Sequence, residues 1–228
     1  MSATAPHIVL INPNSSEATS GMMREIAQRT AGERLFLSTE TATRNPMMIV
    51  NGEQLSASEA QVIEIGRSRK DSCAGIIISA YGDPGVDYLR DDLNIPVIGI
   101  CEASMIVAAQ GGRKYGVATV TPDLAEQIER RAAYLGLSHL YTGIRCTPGD
   151  PKEIAGQPQR LQEELALAVK LCLKDGAEAV VIGGGPLGEA AVQLQAMFDV
   201  PIIAPISSAV ELMVKALNES SIQMKTAL

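Results

Sequence analysis

The sequence predicts an α/β protein with two pseudo-symmetric, Rossmann-like lobes, each a parallel sheet flanked by helices, and with a ligand cleft between them. Short aliphatic and β-branched runs, such as 8–12, 75–79, 116–120 and 179–182, alternate with longer segments that have helical periodicity. This alternation is typical of right-handed βαβ units and parallel sheets. The 228-residue chain has only 2 Phe and no Trp, so its cores are predicted to be aliphatic.

The two halves of the chain also match each other at three points, in the same order. Segment 8–13 corresponds to 117–122, segment 76–80 to 180–184, and segment 95–98 to 200–203. Three ordered matches favour a real duplication over the chance similarity of strand-and-turn segments. The predicted N-terminal lobe comprises 1–100 with 208–228, and the predicted C-terminal lobe comprises 101–207.

Each element of the first half follows from local signals. Strand 8–12 precedes a helix from about 17 to 31, which Ser15 or Ser16 caps and to which Met22, Met23 and Ile26 give an apolar face. The remaining elements are a strand at 35–37, a loop at 44–54, a helix from 56 or 58 to about 70, a strand at 75–79, a helix at 83–92 and a strand at 97–100.

The second half repeats the alternation. Its predicted helices lie at 102–110, 123–134, 161–174, 188–196 and 207–217, and its strands at 116–120, 140–144, 179–182 and 202–204. The segment 151–158 contains two prolines and reads as a loop.

Charge and composition exclude several classes of function. The net charge is −7 and no basic stripe is present, which argues against nucleic-acid binding. The N-terminus lacks a signal-peptide pattern, and no apolar run is long enough to span a bilayer, so we expect no membrane partner. The four cysteines form no CxxC pair, which predicts a cytoplasmic protein without disulfides or a bound metal.

Parallel sheets bind ligands beyond the carboxyl ends of their strands, where helix N-termini offer backbone donors. Small and polar residues follow the predicted strands at these places, and they suit a small anionic or cyclic-amide ligand. The glycine run 183–185 lacks the spacing of a dinucleotide-binding loop, so no cofactor is predicted. The predicted substrate-binding residues are Asn12, Asn14, Ser15, Ser79, Ala80, Thr119, Thr121, Gly184 and Gly185.

Two of these assignments have structural alternatives. Asn12 and Asn14 could act only as caps of the first helix. Gly184 and Gly185 could serve only the close approach of a helix to a strand.

Three segments carry a family resemblance: Ile11-Asn12-Pro13-Asn14-Ser15-Ser16, Gly82-Asp83-Pro84-Gly85, and the run from Pro96 to Ala103. With them the chain resembles the aspartate/glutamate/hydantoin racemase superfamily over nearly its whole length, and most of all the hydantoin and allantoin racemase branch. The resemblance implies a homo-oligomer with two lobes and proton transfer at an acidic carbon without metal or cofactor. It also implies one cysteine from each half, on opposite faces of the substrate.

This chain departs from that pattern at both cysteine positions. The resemblance places them at Ala80 and Gly184, and neither residue can transfer a proton. Racemisation by two thiols is therefore excluded for this sequence, although the cleft and its oxygen-binding groups can persist.

Other titratable residues at the predicted strand ends are candidates for the chemistry. Glu102 follows a strand, where a buried carboxylate could act as a base or could instead stabilise the N-terminus of the next helix. Tyr81 could orient a carbonyl or act as a weak acid, and Cys101 also ends a strand. Glu102, Tyr81 and Cys101 are the predicted catalytic residues.

The sequence therefore predicts a cofactor-independent isomerase or racemase-like enzyme that acts on a small carboxylate or hydantoin-like cyclic amide, with one base or a non-cysteine mechanism. A decarboxylase or other lyase, a hydrolase, and a non-catalytic ligand-binding protein on the same scaffold remain alternatives.

Overall fold

The computed structural model describes residues 4–226, and it describes side chains as far as Glu219. The strands are β1 (His7–Asn12), β2 (Phe36–Thr41), β3 (Gly75–Ile78), β4 (Val97–Gly99), β5 (Tyr115–Thr119), β6 (Tyr141–Cys146), β7 (Ala179–Gly183) and β8 (Ile202–Ile203). The helices are α1 (Glu17–Ala31), α2 (Gly52–Arg69), α3 (Val86–Asp92), α4 (Ile100–Ala108), α5 (Ala125–Tyr134), α6 (Pro151–Ala155), α7 (Pro158–Lys174), α8 (Gly188–Gln195) and α9 (Pro205–Thr226).

The strands form two four-stranded parallel sheets with matching topology. The first has the order β2-β1-β3-β4 and the second the order β6-β5-β7-β8. In each sheet the strand that comes first in the chain, β1 or β5, lies between the strands that come second and third. The duplication seen in the sequence is therefore also present in the strand order. The predicted fold class is confirmed.

Local signals fix most helix ends. The Ser16 side chain accepts the N–H of Thr19 and caps α1, and Gly32, with φ of 59°, ends it. The α2 helix begins before the predicted serines, because the Asn51 side chain accepts the N–H of Gln54 and supplies an earlier cap.

Two further predictions of local structure are wrong. The segment 151–158 is not a continuous loop, because Asp150 caps the short helix α6. The helix predicted from 83 begins only at Val86, because Asp83 has a left-handed backbone with φ of 54°.

The two sheets share one core. The central strands β3, β5 and β7 are buried along their whole length. A single cluster of buried side chains contains Ile8 and Ile77 of the first sheet together with Val117 and Val181 of the second. The sheets are therefore held in a fixed relation by apolar burial.

The last helix returns toward the first sheet, where α9 packs on α1 and α4. The division of the chain into 1–100 with 208–228, and 101–207, stays a prediction. Within the described part of the chain, no helix combines the length and apolar character that a membrane crossing requires.

Candidate functional site

A cleft of about 280 Å³ lies where the carboxyl ends of the two sheets meet. Seven of the predicted site residues line it: Asn14, Ser79, Ala80, Tyr81, Thr121, Gly184 and Gly185. The other five, Asn12, Ser15, Thr119, Cys101 and Glu102, do not line it. The structure therefore brings seven of the predicted residues to one cleft, where they stay a prediction as a functional site, and it places the other five away from the lining.

Asn14 lines the cleft, and its side chain carries a hydrogen-bond donor without a described partner. Its Oδ1 accepts from the Ser16 backbone N–H at 2.9 Å and from Asn12 Nδ2 at 2.9 Å. Because a backbone N–H can only donate, the atom it meets must be the amide oxygen, and this fixes the orientation of the Asn14 side chain. No described residue accepts from Asn14 Nδ2, so that group is available to a ligand oxygen.

Asn12 is fully buried and supports this arrangement. Its Oδ1 accepts the Asn14 N–H, and its Nδ2 also reaches the Ser16 carbonyl and the Ser20 hydroxyl. Ser15 has a different role, because its N–H donates to the Pro46 carbonyl and anchors the loop 42–51 beside the cleft. The predicted binding residues Asn12 and Ser15 thus position other groups.

The hydroxyl groups in and beside the cleft donate their protons to hydrogen bonds within the protein. Ser79 Oγ donates to the Ile11 carbonyl at 2.8 Å, and Thr119 Oγ1 donates to the Gly183 carbonyl. Since the Thr119 proton is used, the 3.4 Å contact between the two threonine hydroxyls makes Thr121 Oγ1 the donor. Ser79 and Thr121 therefore offer lone pairs to a ligand, as acceptors.

Thr19 also lines the cleft, with its hydroxyl donating to Ser16 Oγ at 2.9 Å, and the rest of the lining is apolar. Methionine, leucine and isoleucine side chains come from α1, the loop 42–51 and α2, and aliphatic side chains of the second half complete the wall: Met22, Met47, Met48, Ile49, Leu55, Val120, Leu124, Ala155, Pro186 and Leu187. Among the described residues that line the cleft, none is Asp, Glu, His, Lys, Arg or Cys. No group of three or more metal-ligating side chains occurs in the described part of the chain.

The backbone conformation at Gly184 favours glycine. Its φ of 153° and ψ of 131° lie in a region that L-residues rarely adopt. A Cβ there would also meet Leu187 Cδ1 at 3.0 Å. The turn at this position therefore requires glycine, because any side chain would be strained by the backbone conformation and by Leu187.

Tyr81 contributes its ring, but not a free hydroxyl. Its Oη lies 3.4 Å from Ser104 Oγ, away from solvent, and burial, with the nearby Cys101 thiol, raises the pKa of Tyr81 well above its usual range. The group stays protonated near neutral pH. This placement does not support the role of a base.

The geometry also argues against catalytic roles for Cys101 and Glu102. Cys101 is fully buried, and burial, with the charge of Asp83, raises the pKa of its thiol well above the usual range. The Glu102 carboxylate accepts the Gly99 N–H and pairs with Arg90, which makes it the helix-stabilising carboxylate of the alternative prediction. Of the three predicted catalytic residues, these two are buried and do not line the cleft.

Asp83 has a role that the sequence did not reveal. Its carboxylate accepts the backbone N–H groups of Cys101 at 2.8 Å and Glu102 at 2.7 Å, so it caps α4 instead of its own helix. Burial, reinforced by the charge of Glu102, raises the pKa of Asp83 from 3.8 to about 7, against the opposing effect of Arg131. The contact joins residues 18 and 19 positions apart, and only the fold brings α4 to Asp83.

The fold and the cleft together define a class of protein: a duplicated, two-sheet α/β protein with a small-molecule site between its halves. Residues 8–213 match the model of the Asp/Glu/Hydantoin racemase family. The chain belongs to this family.

Individual relatives agree with that assignment. A hydantoin racemase of Rhizobium meliloti is 27% identical over 208 residues, which cover 90% of this chain and 86% of the relative. The solved structure of an allantoin racemase from Klebsiella pneumoniae has a TM-score of 0.88 and 25% identity, and the match covers 95% of this chain and 89% of that one. Unliganded arylmalonate decarboxylase shares the fold, with a TM-score of 0.62, 14% identity and 93% coverage of both chains. The relatives named racemases support a racemase-type enzyme.

Proposed function

We propose that this chain is a cofactor-independent, racemase-type enzyme that acts on a small, hydantoin-like cyclic amide without catalytic thiols. The hydrogen-bonding pattern of the cleft carries the proposal. Asn14 Nδ2 is a donor, whereas Ser79 Oγ and Thr121 Oγ1 are acceptors because their protons are committed.

A cyclic amide matches this pattern, because its ring presents both N–H donors and C=O acceptors. A carboxylate presents acceptors alone and would face the lone pairs of the two hydroxyls, with no cation in the lining to offset its charge. The apolar wall suits an uncharged substituent on the ring. We therefore favour the cyclic amide over the carboxylate.

The proposed reaction follows from the same set of lining groups. Removal of the proton beside a ring carbonyl leaves an enolate, and Asn14 Nδ2 is placed to stabilise the enolate oxygen; one such donor typically contributes a factor of about 10²–10³ in rate. Because the lining holds no basic side chain, hydroxide from solvent takes the proton and becomes water. Water then returns a proton to either face of the carbon, which racemises it. The rate should therefore rise about tenfold per pH unit until binding or folding fails.

Deuterium exchange tests the proposal. A panel of 5-substituted hydantoins, allantoin and free amino acids is incubated with the protein in D₂O, and exchange at the α-carbon is measured against protein-free controls. We expect exchange of the cyclic amides alone. Exchange of free amino acids, or of nothing in the panel, would contradict the proposal.

A non-catalytic ligand-binding protein is the second candidate, and the absence of Asp, Glu, His or Cys from the described lining favours it. A thermal-shift screen with the same panel distinguishes the two. A hydantoin that stabilises the protein and is recovered without exchange would favour binding alone. Decarboxylation and hydrolysis are less well supported, since the lining offers neither a cation for a carboxylate nor a nucleophile.

We also infer a cytoplasmic, homo-oligomeric protein. The four unpaired cysteines support a reducing compartment. Sedimentation of the purified chain would test its oligomeric state.

A further inference from the structure

Helix α5 runs from the cleft to a buried ionic cluster. Leu124, just before the helix, lines the cleft, and Arg131 lies seven residues further on, which is two helical turns and the same face. The α5 helix follows strand β5 of the second sheet, whereas the carboxylates that Arg131 meets follow strands β3 and β4 of the first sheet. One rigid element therefore connects the two sides.

Arg131 has a side chain only 9% exposed, and it faces three carboxylates. Its Nη1 lies 2.9 Å from Asp87 Oδ2 and 3.8 Å from Glu102 Oε2, and its Nε lies 3.6 Å from Asp83 Oδ2. Its Nη2 also donates to the Asp83 carbonyl at 3.3 Å. Arg131 thus holds both the backbone and the side chain of Asp83.

The carboxylates differ in their dependence on this cation. Arg90 also pairs with Asp87 and with Glu102, so those two have a second partner. Asp83, which is fully buried, has Arg131 as its one described cationic partner. Loss of Arg131 would therefore affect Asp83 most, because an unpaired buried carboxylate is costly.

Asp83 in turn holds one wall of the cleft. It follows Ala80 by three residues, and its carboxylate fastens this loop to the first N–H groups of α4. The fit is close, since a Cβ on Gly99 would lie 2.2 Å from Asp83 Cγ. Displacement of Asp83 would therefore move the wall that contains Ser79 and Ala80.

We propose that Arg131 is a positioning residue, which acts through Asp83 to fix the Ser79–Gly85 wall of the cleft against the opposite wall. Arg131 does not touch the ligand, and it sets the spacing at which the acceptors Ser79 Oγ and Thr121 Oγ1 face each other. This role deepens the proposed function, and only its ligand measurement rests on that function.

Arg131→Gln tests the role, with Arg130→Gln as the matched control. Arg130 is the adjacent residue of the same helix, but its side chain is 73% exposed, and among the described residues it forms an ion pair with Glu126 alone, one turn away. Hydrogen exchange is measured at the Cys101 and Glu102 amides, which Asp83 holds. We expect protection there to fall at least about tenfold in Arg131→Gln and to stay unchanged in Arg130→Gln.

A pH titration separates positioning from general loss of structure. The ¹³C signal of the Asp83 carboxyl is followed against pH in each variant. The titratable and charged groups around this carboxyl are Glu102 and Cys101 of α4, Asp87 and Arg90 of α3, and residue 131 of α5. We expect the midpoint of the Asp83 titration to rise by about one pH unit or more in Arg131→Gln and to stay unchanged in Arg130→Gln. An unchanged midpoint, or an equal loss of protection in β7, would overturn the proposal.

Ligand affinity completes the test, with 5-isopropylhydantoin as the probe. We expect its Kd to rise about tenfold in Arg131→Gln and not in Arg130→Gln. If the unaltered protein does not bind the probe, the proposed function fails, and the exchange and titration results still decide the role of Arg131. If Arg131→Gln does not fold, Arg131→Lys replaces it, and intermediate shifts are expected because the charge remains without the forked geometry.

Discussion

Asn14 allows the ligand contact to be separated from the stability of the fold. Its Oδ1 accepts hydrogen bonds from Asn12 and Ser16, whereas its Nδ2 has no described partner, and the residue lines the cleft. Asn14→Asp keeps an acceptor for both internal donors and replaces the free donor by an oxygen. Because the new charge lies just before the N-terminus of α1, we expect the free energy of unfolding to change by less than about 1 kcal/mol.

The effect on binding should be much larger. A ligand carbonyl would lose its donor and meet a negative oxygen instead, at a cost of about 2 kcal/mol, which corresponds to roughly a 30-fold increase in Kd. The assay is isothermal calorimetry with 5-isopropylhydantoin, beside urea denaturation of the same preparations. Wild-type affinity in Asn14→Asp would refute the assignment of Nδ2 as a ligand donor.

Asn14→Leu is the companion variant. It removes both accepted hydrogen bonds, but Asn12 Nδ2 keeps the Ser16 carbonyl and the Ser20 hydroxyl as acceptors. Only the Ser16 N–H loses its partner, so we expect a destabilisation of about 1–3 kcal/mol together with lost binding. Loss of stability in Asn14→Leu but not in Asn14→Asp would show that Oδ1 and Nδ2 of Asn14 have separate roles.

Three further predictions concern the chemistry and the stability of the fold. Gly184→Ala should destabilise the protein by about 1–3 kcal/mol in urea denaturation because of its positive φ, whereas Ala80→Ser should not. Since the raised pKa of Asp83, about 7 against 3.8, favours the protonated folded state, stability should fall by up to about 4 kcal/mol as pH rises from 4 to 7. Denaturation curves of Asp83→Asn should lack that slope, and an unchanged slope would contradict the assignment. Iodoacetamide under native conditions should leave hydantoin exchange intact, because no cysteine lines the cleft; inactivation together with labelling of Cys101 would contradict this.

Periodicity was a sufficient guide to the sheets and the helices because their signals are local. The alternation of aliphatic runs with helical segments, and the repeat of three strand ends, predicted two similar parallel sheets, and the strand orders agree. The helix ends were less predictable. Asn51 displaced the predicted serine caps of α2, since competing caps differ little in free energy.

The catalytic candidates failed for a different reason. Position after a strand indicates closeness to the rim of a sheet, but it does not show which way a side chain points. Cys101 and Glu102 both follow β4, and neither lines the cleft: the Glu102 carboxylate meets Arg90 of α3 and Arg131 of α5, and the Cys101 side chain is fully buried. Those partners are distant in the chain, and no local pattern predicts them.

The sequence by itself determined the fold class and the duplication, and it has Ala80 and Gly184 at the two positions where the family resemblance implies thiols, because these depend on residue identity and local order. Only the tertiary structure decided which polar groups reach a ligand. Hydrogen bonds between distant segments consume the protons of Ser79 and Thr119, whereas the chain neighbours Asn12 and Ser16 orient Asn14; together they leave an amide donor and hydroxyl acceptors at the cleft. Such commitments depend on neighbours that folding brings together, and they convert a list of polar residues into a specific site.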